Sequence, residues 1–315
     1  MRIGIDLGGS KIEAILLHPQ GEILRRERLP TPQGDYAATL QTIATLVARM
    51  ETHPAVKQPG LPVGVGIPGA ISLHNGRVKN ANSVCLIGKD LTADLQQHLD
   101  RPVRLANDAD CFTLSEATDG AAAQLPIVFG VILGTGVGGG IAVQGTLLQG
   151  VNAICGEWGH NPLPWPTPQE LPGHPCYCGQ SGCIETFLSG PGLCRHHLDL
   201  CGEEKKPDAI VQAAAAGDAH AETSLRLYES RLARALASVI NLLDPFAIVL
   251  GGGLANIARW YQTVPTLWQA HVFSDRVTTR LLPAKHGDSS GVRGAAWLWP
   301  SPSQQGGMSH ATARE

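Results

Sequence analysis

The sequence predicts an α/β protein of two lobes with a metal-bound loop, on three observations. Two glycine-tipped hairpins of the same construction lie far apart in the chain. Short apolar strands alternate with amphipathic helices between and beyond them, and a set of three cysteines and one histidine follows the second hairpin. Alternation of strand and helix is the signature of α/β layers, and the repeated hairpin suggests that one lobe echoes the other.

Taken in order, Ile3 to Leu7 reads as a short strand running into Gly8-Gly9-Ser10-Lys11, and Ile12 to Leu17 resumes as a second strand. Tyr36 to Met50 carries Leu40, Ile43, Leu46, Val47 and Met50 at helical spacing, and Val63 to Ile67 is a buried strand ended by Pro68-Gly69. Val103 to Leu105 is a strand that delivers Asn107-Asp108-Ala109-Asp110 at its C-terminal end, before an Ala-rich helix. Strand ends of this kind are where α/β folds keep their chemistry. Ile127 to Leu133 leads into the glycine run Gly134 to Gly140, and Ile141 to Val143 resumes as a strand. Ala219 to Leu243 reads as a long helix, Ala247 to Leu250 as a strand, and Gly251-Gly252-Gly253 as a turn opening another helix. The small, polar segment from Ser301 to Glu315 is expected to be a flexible tail.

Each hairpin tip is rich in glycine and carries a hydroxyl, Ser10 in the first and Thr135 in the second. Without a Cβ in the way, backbone N–H groups at such tips can approach an anion, so the pair would clasp a polyphosphate, with Asp6 and Lys11 flanking the first. The glycines and lysine of the first run are out of P-loop order, and the second lacks the strand-to-helix transition and ribose acid of a dinucleotide fold. A two-lobed hairpin clamp is what remains.

The segment from Gly156 to Glu185 holds His160, Cys176, Cys178 and Cys183. Three thiolates and an imidazole make a closed tetrahedral donor set of the structural-zinc type, leaving no position for catalysis. The three cysteines fall within eight residues on a Pro/Gly-rich loop of little apolar content, which argues against buried hydrophobes or a disulfide with a spare thiol. The other cysteines are scattered, so a reduced, cytoplasmic setting is expected.

Composition narrows the partners. At 315 residues the chain can bury a large core, and a net charge of −3 gives no electrostatic footprint for nucleic acid or an anionic membrane. No apolar run reaches the ~18 residues of a membrane span, and no secretory signal opens the sequence. A zinc-ribbon nucleic-acid binder would need a basic stripe near the cysteines, yet residues 154 to 187 contain no Lys or Arg.

Together, Asp6-Leu7-Gly8-Gly9-Ser10-Lys11, Asn107-Asp108-Ala109, Gly134 to Gly140, Gly156-Glu157-x-Gly159-His160 and Cys176-x-Cys178-Gly179-x-x-Gly182-Cys183-x-Glu185 resemble the ROK family of sugar kinases and repressors, across essentially the whole chain. Within it the chain is similar to the fructokinases in Val78 to Ser83, Gly159 to Trp165 and Lys285 to Gly291. The resemblance implies the actin-like ATPase (ribonuclease H-like) fold. Its N-terminal lobe would be 1–107 plus about 290–300, its C-terminal lobe 108–289 with the zinc motif, and ATP and sugar would lie in the cleft. Repressors of the family carry a helix-turn-helix ahead of the first hairpin, for which Asp6 as the sixth residue leaves no room, so a kinase is expected. The implied reaction is ATP-dependent phosphorylation of a hexose, fructose to fructose 6-phosphate. Fructose, mannose, glucose and N-acetyl sugars are all within reach of the same acids, and a non-catalytic sugar sensor is the other alternative, against which the retained Asp108 argues.

Residue by residue, the resemblance assigns Asp108 as general base and Gly69, Asn82, Asn107, Asp108, Glu157, His160 and Glu185 to the sugar. ATP with Mg2+ is assigned to Gly4, Asp6, Gly8, Gly9, Ser10, Lys11, Gly134, Thr135, Gly136, Gly138, Gly251, Gly252 and Gly253. Structural Zn2+ is assigned to His160, Cys176, Cys178 and Cys183, with the second imidazole nitrogen of His160 turned toward the sugar. A carboxylate suits the base role, because phosphoryl transfer asks mainly for in-line positioning, charge neutralisation and an oriented nucleophile. The family leaves a homodimer open.

Overall fold

In a computed structural model describing residues 1–81 and 83–300, the chain divides into Met1–Cys111 with the segment from Gly291 on, and Phe112–Ser290. Asn82 and the tail expected from Ser301 lie outside the described residues.

The first unit opens with an antiparallel meander of β1 (Arg2–Leu7), β2 (Lys11–Leu17) and β3 (Ile23–Pro30). Next come helix α1 (Tyr36–Glu51), β4 (Val63–Ile67), a small ribbon of β5 (Ala70–Ile71) and β6 (Val78–Lys79), helix α2 (Leu91–Leu99) and β7 (Val103–Asn107). The sheet runs β3-β2-β1-β4-β7, with β4 parallel to both β1 and β7. Helix α1 starts where Asp35 accepts the Ala38 N–H, and buries the predicted stripe of Leu40, Ile43, Leu46, Val47 and Met50. Every residue of β4 is buried, as a parallel strand covered on both faces requires.

Helix α3 (Asp108–Thr118) leads into the second unit, which repeats the plan: β8 (Ile127–Leu133), β9 (Val137–Val143) and β10 (Thr146–Leu147) form another meander. Helices α4 (Ile184–Leu188), α5 (Gly190–Cys201), α6 (Pro207–Ala215) and α7 (Ala219–Leu243) come next, followed by β11 (Ala247–Gly251), α8 (Trp260–Leu267) and β12 (Arg280–Pro283). The sheet order β10-β9-β8-β11-β12, with β11 parallel to β8 and β12, matches that of the first unit strand for strand. Thus the echo legible in the two hairpins extends to the whole sheet. Helix α7 organises this core: Leu225, Tyr228, Leu232, Leu236 and Ile240 lie at helical spacing and are buried, and Tyr228 stacks on Trp260 with ring centroids 4.8 Å apart.

The chain then returns through helix α9 (Ser290–Trp297). A Cβ on Gly64 would lie 1.8 Å from the Ala295 carbonyl oxygen, and one on Gly4 2.1 Å from that of Val292. Glycine at both positions lets α9 lie directly on β1 and β4. Gly4, expected at the nucleotide, is therefore buried in mid-strand beneath a helix, and packing accounts for it.

Candidate active site and metal centre

In the first unit the strand register brings the predicted residues to one edge. Asp6 pairs with Gly66, and Gly66 with Ala106, so Asp6, Pro68-Gly69 and Asn107-Asp108 all emerge at the C-terminal ends of parallel strands. The Asn107 side chain donates to the Gly69 carbonyl at 2.8 Å and accepts the Ala109 N–H at 2.8 Å, which fixes its orientation. Gly69 has φ +80°, and a Cβ there would meet the Lys79 carbonyl at 2.5 Å. Glycine is required there by this turn against Lys79 and Ala81, and its carbonyl seats the Asn107 amide. Asp108 is the first residue of α3 and is exposed, with Oδ1 accepting the Ala109 N–H at 2.8 Å.

The first tip is closed by Gly8 N–H donating to the Lys11 carbonyl at 3.1 Å. It is braced by Thr31, whose N–H reaches the Ser10 carbonyl and whose hydroxyl reaches that of Gly8. Gly9, Ser10 and Lys11 are exposed, and nothing lies within 4 Å of where a Gly9 Cβ would be, so this backbone is open to a ligand. Behind the tip, Asp6 faces Glu13 across the strands, and Glu13 is buried against Arg26 and Arg28.

Burial, the nearby Asp108 carboxylate and then Glu13 push the Asp6 carboxyl up to about 6, only partly opposed by Lys11. The folded chain therefore holds this proton more tightly than the unfolded one does. The associated stability is complete below about pH 4 and is lost as pH rises through about 6. Asp6→Asn removes that loss. In the metal-free protein the variant should be more stable than the wild type at pH 7, by up to about 3 kcal/mol for a shift of roughly two units. The difference should vanish near pH 4 in denaturant titrations. A variant no more stable at pH 7 would contradict this account of Asp6.

In the second unit the tip is shorter than the glycine run suggests. Only Gly134 to Gly136 turn, with the Gly134 N–H on the Gly136 carbonyl at 3.0 Å, while Val137–Val143 is already β9. Gly138, expected to face phosphate, pairs with Ile132 inside the sheet, and its carbonyl accepts the Trp158 indole N–H at 3.1 Å. Gly139 lacks a Cβ because the Gly156 carbonyl and the Trp158 ring would each stand 2.8 Å from it. The later glycines thus seat the Gly156–His160 segment. The tip itself docks on the α4–α5 corner: Gly190 N–H donates to the Gly134 carbonyl at 2.7 Å, and Glu185 Oε2 accepts the Val137 N–H at 2.9 Å. Glu185 also explains Gly136, where a Cβ would lie 2.6 Å from Oε2. Thr135 is exposed and, with Tyr177, Glu185, Ser189 and Arg195, lines a cavity of about 220 Å³.

Of the three glycines after β11, Gly251 makes way for the Phe112 ring and Gly252, at φ +83°, for the Leu133 carbonyl. Gly253 alone faces open space.

Donor atoms of His160, Cys176, Cys178 and Cys183 all lie within 4.8 Å of one another. Cys176 Sγ is 3.5 Å from His160 Nδ1, and Cys178 Sγ is 3.6 Å from Cys183 Sγ. Thiolates bound tetrahedrally at about 2.3 Å stand roughly 3.7 Å apart, so the spacing fits a four-coordinate ion, and it is far too long for a disulfide. Cys183 is buried and Cys178 exposed. The Gln180 N–H holds the Cys178 thiol down to about 7, while burial pushes Cys183 up to about 12. His160 Nε2 points the other way, to Tyr177 Oη at 2.9 Å. Glu157, which begins this turn, is exposed.

Two groups escaped the sequence reading. Tyr177 carries no motif of its own, being the variable residue between two cysteines. Glu116, fully buried, accepts the backbone N–H groups of Ala121, Lys285 and His286 and the Ser290 hydroxyl. The Lys285 to Gly291 segment, one of those that pointed to fructokinases, therefore includes a wrapping for a buried carboxylate. An acid inside an Ala-rich helix offers no sequence signal for that.

Residues 2–301 match the profile of the ROK family. N-acetyl-D-glucosamine kinase of Vibrio vulnificus is 38% identical over 302 residues, covering 95% of this chain and 99% of that protein. The Vibrio cholerae enzyme of the same name is 39% identical with the same coverage. Among solved structures, a ROK hexokinase from Thermus thermophilus superposes with a TM-score of 0.83 at 28% identity, covering 94% of this chain and 96% of that one. A ROK family glucokinase from Streptomyces griseus, in complex with glucose and AMPPNP, gives 0.74 at 26% identity, covering 94% and 98%. Among the described residues no helix is long and apolar enough to cross a membrane.

Proposed function

Because the chain belongs to the ROK family and is a sugar kinase, a phosphotransferase with an alcohol acceptor, we propose that it transfers the γ-phosphoryl group of ATP to a hydroxyl of a free hexose, fructose first. The observation that carries this reading is the exposed carboxylate of Asp108, set at a parallel strand end beside Asp6 and the open Gly8–Lys11 tip. The sugar oxygen attacks the γ-phosphorus, the new P–O bond forms as the bond to ADP breaks, and the hydroxyl proton passes to Asp108. Asn107, Glu157, His160 and Glu185 are the residues we assign to the other hydroxyls, since amides, acids and imidazole offer the directional hydrogen bonds a polyol needs. Asp6 is the carboxylate we assign to the neighbourhood of the Mg2+ that would accompany ATP, where such an ion would supply neutralisation of phosphate charge.

Zinc is the ion we assign to His160 Nδ1 and the three thiolates. With Nδ1 so engaged, Nε2 carries the hydrogen and is a donor of fixed direction, toward the place Tyr177 Oη fills in the structure. The closed donor set keeps this ion out of the chemical step.

Fructose follows from the resemblance in Val78 to Ser83, Gly159 to Trp165 and Lys285 to Gly291. N-acetyl-D-glucosamine is a second reading, favoured by relatives of that name at 38% and 39% identity. ADP release in a coupled assay on fructose, mannose, glucose and N-acetyl-D-glucosamine decides between them. We expect fructose to give the highest kcat/KM; N-acetyl-D-glucosamine in first place would select the second reading, and no sugar-dependent ADP release would overturn the kinase assignment.

A further inference from the structure

The loop from Asn161 to Pro175 joins the metal-site histidine to its first cysteine, and its composition makes it unable to hold itself in place. Pro162, Pro164, Pro166 and Pro168 alternate along its first half, each without an N–H, and its only helical turn is Pro168–Glu170. Its ends are tied to the cysteine segment, by the bridges of Pro162 to Cys183 and Pro175 to Ser181 and by Leu163 N–H on the Gly182 carbonyl, with Leu163 buried and His174 paired with Asp199. Its middle is held by something else.

Glu170, whose side chain is only 3% exposed, accepts Arg231 Nε at 2.8 Å and Arg234 Nη2 at 2.8 and 3.0 Å, both from α7, and the Thr167 N–H at 2.8 Å. Arg234 Nη1 then donates to the carbonyls of Pro164 at 3.1 Å and Trp165 at 2.6 Å. Arg231 also lies over the Phe187 ring at 5.0 Å, on the helix that carries Glu185. Burial alone would raise the Glu170 carboxyl, but Arg234 and Arg231 override it and hold it down at about 2.

A buried ion pair is weak evidence for stability, since well-packed apolar residues of the same volume do as well or better. What apolar packing cannot supply is direction. One carboxylate locks two guanidinium groups, and Arg234, held by it, aims Nη1 at the Pro164 and Trp165 carbonyls, in a stretch whose prolines have no N–H to offer.

We propose that Glu170, Arg231 and Arg234 are positioning residues for the metal centre, holding the proline loop so that His160 and Cys176 meet at ligand distance before the ion arrives. This inference rests on the zinc reading above. Without the clamp, closing the loop costs conformational entropy that metal binding has to supply.

The test uses the whole chain stripped of metal, with no sugar or nucleotide present. Zn2+ affinity is measured by competition with a chromophoric chelator for the wild type, Glu170→Gln and the milder Arg234→Lys, and the Co2+-substituted absorption spectrum is recorded for each. We expect Glu170→Gln to weaken Zn2+ binding by about 10–100-fold, the scale of lost supporting contacts around a metal. Arg234→Lys, which keeps the charge but loses the fork to two carbonyls, should fall between and fold normally even if Glu170→Gln does not. The Co2+ bands should shift or weaken in the same order. Variants that lower the melting temperature of metal-free and metal-bound protein alike, with wild-type Zn2+ affinity, would show a merely structural role and overturn the inference. A wild type that binds neither Zn2+ nor Co2+ would instead remove the metal reading itself.

Discussion

Replacing Asp108 with asparagine is expected to lower kcat by about 10²–10⁴-fold while leaving the KM for sugar largely unchanged, the pattern of a lost proton acceptor. The variant is a clean test because of where Asp108 sits. Its Oδ1 caps the Ala109 N–H, a bond an asparagine oxygen can also accept, and Asn107 Oδ1 caps the same group, so helix α3 keeps its start. The side chain is exposed, so no core packing changes. What disappears is the capacity to take a proton from the attacking hydroxyl. Single-turnover kinetics, with thermal melts as the control, check this, and near-normal turnover would remove Asp108 from the base role.

The parts of this molecule legible in the sequence are those whose signal is local. Short apolar strands, the 3.6-residue stripe of α1, and three cysteines within eight residues each declare themselves within a short window. Even the duplicated sheet was visible, through the likeness of two hairpins. Glycine was the least legible residue, because its reason is usually a partner far away. Gly4 and Gly64 are required by α9 more than 200 positions later, Gly139 by Trp158, and Gly251 by Phe112. A glycine run therefore overstates its ligand-facing backbone: in the second hairpin the turn is Gly134 to Gly136, and the rest is strand.

Charged residues show the same limit. Glu116 and Glu170 are both buried, and most of the donors that satisfy each come from a distant segment. Glu170 did offer a local hint, since Thr167-x-x-Glu170 is a capping box, which the structure forms in full. Fructose and N-acetyl-D-glucosamine differ in ring form and in a few substituents. No motif of hydroxyl-binding acids separates them, because the acids are shared.

Removing the zinc proposed for the cysteine cluster should weaken the fold and the sugar site together, and Cys178→Ser is the variant that isolates this effect. Cys183 is buried, so its loss would also disturb packing, whereas Cys178 is exposed. The four donors come from two segments, the Trp158–His160 turn and the Cys176–Cys183 loop, so an ion would join pieces that meet at the cluster through weak thiol contacts of 3.5 Å, Cys176 Sγ to His160 Nδ1 and Cys183 Sγ to the His160 carbonyl. Binding energy for an ion that the unfolded chain cannot hold is folding energy, and the melting temperature should fall on chelation. Nδ1 of His160 faces the sulfurs and Nε2 faces Tyr177, so the same loss frees the imidazole to rotate and switch tautomer. The KM for sugar should then rise by about 10–100-fold, with kcat affected less, since the ion has no open position for the reaction. Elemental analysis should find one zinc per chain in the purified wild type and less in Cys178→Ser. Fully active enzyme with no zinc would separate the cluster from sugar binding and leave the cysteines without this role.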